Sequence, residues 1–78
     1  MDNAPFDHRV AELVEKAIKD SGESVNAIAK AAAVPYATLD RKLKGATPFN
    51  VSELNRLARA TGKTASEFLP ADDPKAVA

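Results

Sequence analysis

Every glycine of this 78-residue chain stands where an apolar helical pattern stops: Gly22, Gly45 and Gly62. A residue able to take the left-handed conformation is what closes a helix, so the three glycines divide the chain into short helical segments. No strand pattern competes with them. Val and Ile never alternate with polar residues for long enough to make a half-buried strand. The predicted fold class is all-α.

The first segment places Val10, Leu13, Val14, Ala17 and Ile18 at spacings of three and four, with Arg9, Glu12, Glu15, Lys16 and Lys19 left outside. Asp7 is its predicted N-cap, so residues 1–6 are read as an N-terminal arm. Ser24 caps a short second helix through Ile28, Ala29 and Ala32, whose thin side chains permit close packing. Pro35 opens a third helix over 35–44, because its missing N–H has no partner in a first turn. Beyond Thr47-Pro48, Asn50 and Glu53 have capping-box spacing, Phe49 and Leu54 the spacing of a hydrophobic staple, and Val51, Leu54, Leu57 and Ala58 carry the stripe. "TASE", Thr64 to Glu67, repeats the box and opens a last turn or two holding Phe68 and Leu69, which Pro70 ends. The domain is thus expected over 7–69 as five short helices. Residues 70–78 are an acidic tail with no apolar period.

A core this small supplies only about 3 to 5 kcal/mol of net stability, and nothing covalent adds to it. The chain has no Cys, which excludes disulfides and thiolate metal sites and fits a reducing, cytoplasmic setting. The longest apolar run, Ala31 to Val34, is far short of the roughly 20 residues of a membrane span. No signal segment opens the chain.

Net charge is zero, which taken alone argues against a nucleic-acid partner. The distribution reverses that impression. Residues 1–29 hold three basic against six acidic side chains, residues 30–63 seven against two, and residues 64–78 one against three. The middle segment would attract a polyanion, and the two ends would not.

That segment contains "VPYATLDRKLKG", residues 34–45. Advancing about 100° per residue from Leu39, Leu43 lies near 40° and Pro35 near −40°, while Ala37, Lys44 and Arg41 fall at about 140° to 200°. A helix that buries Leu39 and Leu43 therefore presents Ala37 and Arg41 outward. Tyr36 and Asp40 flank one border, Thr38 and Lys42 the other. A tight turn followed by a helix with an outward basic face is an arrangement suited to the major groove of DNA.

"SVNAIAKAAAVPYATLDRKLKG", residues 24–45, is similar to the helix-turn-helix of the lambda-repressor/Cro-like (XRE-type) family. Ile28-Ala29 stand at that family's Leu-Ala positions, Ala33-Val34 at the turn, Thr38-Leu39 at the usual Thr-Ile, and Gly45 at the terminal Gly. The resemblance continues through Leu54, Leu57 and "TGKTASEFL", and extends to small regulators of actinobacteria and their phages. It implies a compact five-helix domain and a sequence-specific regulator of double-stranded DNA, a repressor or Cro-like protein acting in the cytoplasm of a bacterial or phage-infected cell. Tyr36, Ala37, Thr38 and Arg41 would approach base edges. Arg41 has the geometry to pair with guanine, and Ala37 or the Thr38 methyl to meet a thymine methyl. Ser24, Val25, Asn26, Lys42, Lys44, Thr47 and Asn50 would meet phosphates; at Val25, only the backbone N–H is available.

The chain departs from the family at four positions. Ala33 replaces the turn Gly, Pro35 replaces the Ser/Thr cap, Val25 replaces a phosphate-contacting Gln, and Lys42 stands at a usually apolar place. Tyr36 lies between groove and core, and Asp40 is suited to holding Arg41, Lys44 or a neighbouring cation. Arg56 and Arg59 read as surface charges. His8, the only His, has no second ligand at metal spacing, and no nucleophile, base and orienter fall in order, so no enzyme, metal, cofactor or small-molecule ligand is expected. A homodimer on a two-fold site would draw on the fourth and fifth helices or the tail, with Phe68, Leu69 and Val77 as candidates, although Phe68 and Leu69 suit the core equally well. The competing function is a protein-interaction module of the same fold, an antitoxin or anti-repressor partner without a DNA target.

Overall fold

The computed structural model describes residues 4–70. Four α-helices, α1 (Ala4–Ser21), α2 (Val25–Ala32), α3 (Tyr36–Leu43) and α4 (Val51–Thr61), are followed by one 3₁₀ turn (Ala65–Phe68). No strand occurs among the described residues. The fifth helix expected from the sequence is this single turn. Leu69 precedes Pro70, which disfavours helical backbone, and it is extended at φ −91°, ψ 131°. Only four residues remain for the turn, and they wind tightly.

The start of α1 also differs from expectation. The helix begins at Ala4 rather than after an Asp7 cap, because Pro5 is compatible with a first turn. Asp7 lies within that turn, where its charge opposes the positive end of the helix dipole. The helix thus takes in residues 4–6 of the expected arm 1–6; residues 1–3, and residues 71–78 of the expected tail with Val77, lie outside the described residues.

One core joins all the elements. Val10, Val14, Ala17 and Ile18 of α1 pack with Ile28, Ala29 and Ala32 of α2, with Val34 and Leu39, with Leu54, Leu57 and Ala58 of α4, and with Phe68 of the 3₁₀ turn. Ala11 is also buried, so the α1 stripe is wider than its spacing suggested, while Leu13 is only half-buried. Phe68 is a core residue that docks the 3₁₀ turn on α1 and α4, whereas Leu69 is about half exposed. Phe49 and Leu43 cover the edge of the core.

The helix ends are closed as their sequences dictate. The Ser24 hydroxyl accepts the Ala27 N–H at 3.0 Å. Asn50 Oδ1 accepts the Glu53 N–H at 2.8 Å, and Glu53 Oε1 accepts the Asn50 N–H at 3.0 Å, which completes a capping box. The Glu67 carboxylate accepts both the N–H and the hydroxyl of Thr64, at 2.7 and 3.1 Å. Between α2 and α3, Ala33 takes the left-handed conformation at φ 57°, ψ 40°, and the Val34 N–H returns to the Ala29 carbonyl at 2.9 Å. Pro35 is the N-cap of α3 rather than its first residue, and Lys44 is its C-cap, so the helix is one residue shorter at each end than 35–44.

Candidate nucleic-acid interface

The burial of α3 follows the angular order of its residues. Leu39 is fully buried and Leu43 half-buried, while Ala37 and Arg41 are exposed on the opposite side. Thr38, Asp40 and Lys42 are half-buried at the borders. Tyr36 is 51% exposed at the start of the helix, so its ring is not a core element. Packing against both α1 and α2 fixes the buried side, and it leaves Tyr36, Ala37 and Arg41 facing outward as a short row.

The three cations at the end of α3 have separate environments. Lys44 pairs with Asp40 at 3.0 Å on the surface, which gives Asp40 the cation-holding task its position suggested. Lys42 turns inward and donates to the Glu53 carboxylate of α4, where both side chains are almost buried. Lys42, expected near a phosphate, thus has its stem over the core edge and its ammonium on a neighbouring helix. Arg41 has no carboxylate within ion-pair reach among the described residues.

Glu53 itself is buried at 8% exposure. Burial pushes its carboxyl up, but the bond from Lys42, the bond from the Asn50 N–H and the charges of Lys42 and Arg56 outweigh that effect, holding it below the usual glutamate value. It therefore stands as a carboxylate beneath α3 at neutral pH.

The remaining residues expected near phosphates surround α3. Asn26 and Thr47 are exposed. Ser24 and Asn50 are also exposed, but an oxygen of each is engaged in capping α2 and α4. The Val25 side chain packs half-buried against the core, leaving only its backbone at the start of α2.

Two contacts were missed in the sequence. Arg56 is not merely a surface charge: its Nη1 donates to the Ala33 carbonyl at 3.2 Å, at the turn between α2 and α3. The available signal was its position three residues after Glu53 on the same face of α4. His8 of α1 lies over the C-terminal end of α3, so close that a Cβ on Gly45 would fall 2.6 Å from its ring. Arg59 is exposed.

Among the described residues, no three His, Cys, Asp or Glu side chains cluster as metal ligands, and no helix is long and apolar enough to cross a membrane. No curated protein and no solved structure matches the chain. The family model of the BetR domain, a small DNA-binding domain of helix-turn-helix character, matches residues 2–78.

Proposed function

The chain belongs to the BetR domain family, and from that membership we propose a transcriptional regulator, not an enzyme, in which α2, the Ala33 turn and α3 act as a helix-turn-helix that seats α3 in the major groove of DNA. The observation that carries this reading is the outward row of α3. Tyr36, Ala37 and Arg41 are exposed, the last two opposite the buried Leu39, and Arg41 is a cation with no ion-paired carboxylate among the described residues. Arg41 pairs with guanine, Ala37 and the Thr38 methyl meet thymine methyl groups, and Tyr36 reaches a base edge or the adjoining backbone. Asn26, Thr47, Lys44 and the backbone N–H groups at the start of α2 supply positioning contacts to phosphate. Occupation of promoter DNA then represses transcription in the manner of a Cro-like protein of a bacterium or phage. The exposed Leu69 is available to a second copy on a two-fold site.

Selection of bound sites from a random duplex pool tests this directly. The expected result is one enriched sequence whose affinity falls steeply with salt, whose preference Arg41→Ala relaxes at one position, and which Lys44→Ala weakens for all sequences alike. No duplex binding at low salt, together with Arg41→Ala silent in reporter repression, would overturn it. The second reading, a module that binds another protein, draws on the zero net charge and on the two lysines already paired with Glu53 and Asp40. Selection without enrichment, followed by capture of a protein partner that Arg41→Ala disrupts, would favour it.

A further inference from the structure

Two polar side chains of α4 reach out of their own helix, and both take hold of the α2–turn–α3 unit. Glu53 bonds Lys42 near the end of α3, and Arg56 bonds the Ala33 carbonyl at the end of α2. The two residues are three apart, so they leave α4 from one face and grip the unit at two places. The Asn50 N–H on Glu53 and the Ser52 carbonyl on Arg56 hold each side chain in turn, at 3.0 and 3.4 Å. The first grip is enclosed, and the second lies at the surface, on the turn itself. Lys42 and Glu53 have only 12% and 10% of their side-chain surface exposed, and Ala33 is the turn residue that aims α3 away from α2.

We propose that Glu53 and Arg56 are positioning residues: a two-point clamp by which α4 sets the angle of α3 against α2, and so the placement of Tyr36, Ala37 and Arg41 on the duplex, without touching DNA. The clamp rests on the duplex-binding reading, yet its physical basis lies within the protein. A helix of eight residues is anchored mainly through Leu39 and Leu43, two side chains on one line, about which it can roll. Lys42 lies to one side of that line. Tying its end to α4 removes the roll.

The test uses the whole chain with Lys42→Met, Glu53→Met, the double variant and Arg56→Gln, their fold checked by circular dichroism and urea titration; the double variant and Arg56→Gln strand neither Lys42 nor Glu53 and carry the test where a single variant unfolds. Affinity for the selected duplex is measured across a range of salt. Lys42→Met, Glu53→Met and Arg56→Gln should each lose about 3- to 30-fold with the salt slope unchanged, and the double variant should lose no more than the worse single. A Lys42→Met protein whose salt slope falls by about one, beside Glu53→Met binding as well as wild type, would identify Lys42 as a phosphate contact and overturn the clamp. Equal affinity for all variants would overturn it as well. Should wild type itself bind no duplex, the functional reading fails, and amide hydrogen exchange decides the clamp. In the single variants, α3 amides from Leu39 to Leu43 should exchange faster while α1 amides are unchanged. Protection of α3 that does not move refutes the clamp by itself.

Discussion

Ala33→Gly is expected to stabilise this protein, although it removes a methyl group and adds chain entropy. Ala33 is the one non-glycine residue with positive φ among the described residues, at 57°. An L-residue in that region is strained by about 1 to 2 kcal/mol. Glycine relieves the strain and loses about 0.4 to 1 kcal/mol by freeing the unfolded chain. The Ala33 methyl is exposed, so no packing is lost, and the Arg56 and Val34 contacts at this turn use backbone atoms that remain. The net gain is roughly 0.5 to 1 kcal/mol, which for a domain of this size raises Tm by about 2 to 8 °C. Gly62→Ala runs the same exchange backwards, at φ 74° with nothing within 4 Å of the new Cβ, and should lose a similar amount. Gly45→Ala adds a collision with the His8 ring, so it should lose more, and His8→Ala should recover that excess alone. Urea titration and thermal melting followed at 222 nm measure all four. An Ala33→Gly protein no more stable than wild type, with Gly62→Ala neutral, would show that left-handed strain does not govern these turns.

Leu39 is fully buried, and its truncation to Ala costs about 2 to 5 kcal/mol. That is comparable to the whole stability of so small a domain, so Leu39→Ala should lose its helical circular dichroism near room temperature, whereas Ala37→Ser on the exposed side should not. Acid should weaken the fold through Glu53. Its carboxyl is held below the usual value of 4.5 in the folded chain, so the unfolded chain binds the proton first as pH falls. The stabilisation is whole above about pH 4.5 and is lost as pH drops through the lower folded value. Urea midpoints measured from neutral pH down to pH 3 should decline over that window, and Glu53→Gln should flatten the decline.

What the sequence made legible is what depends on neighbours in the chain. The caps at Ser24 and Asn50 and the burial of Leu39 opposite Ala37 and Arg41 follow from spacing alone, and each holds in the structure. The departures arise where two local rules compete or where the partner is distant. At the start of α1, Pro5 and Asp7 both suit a first turn, and the helix takes the earlier start. At its end, the pattern of Phe68 and Leu69 promises a helix that Pro70 then limits to one turn. Lys42 sits at a border angle from which a long stem can turn either way, and its partner is eleven residues on, in another helix. Arg56 meets a carbonyl 23 residues away. Helix crossing, not periodicity, decides both contacts.

The same distinction explains how a chain of zero net charge can present a surface suited to a polyanion. Lys42 and Lys44 are two residues apart and each has a carboxylate partner, so a count of ion pairs treats them alike. Their surroundings do not. The Lys44–Asp40 pair is open to water, with 72% and 36% of its side-chain surface exposed. Such a pair is worth about 0 to 1 kcal/mol and yields readily to a stronger anion. The Lys42–Glu53 pair is enclosed, and pulling one partner away would strand the other charge in the protein at a cost of about 3 to 5 kcal/mol. A phosphate approaching α3 can therefore recruit Lys44 while Lys42 stays with Glu53. Arg41 needs no recruitment, having no carboxylate partner among the described residues. The electrostatic surface that α3 offers is thus smaller than its sequence implies, Arg41 with Lys44 in reserve, and the third cation serves the shape of the domain.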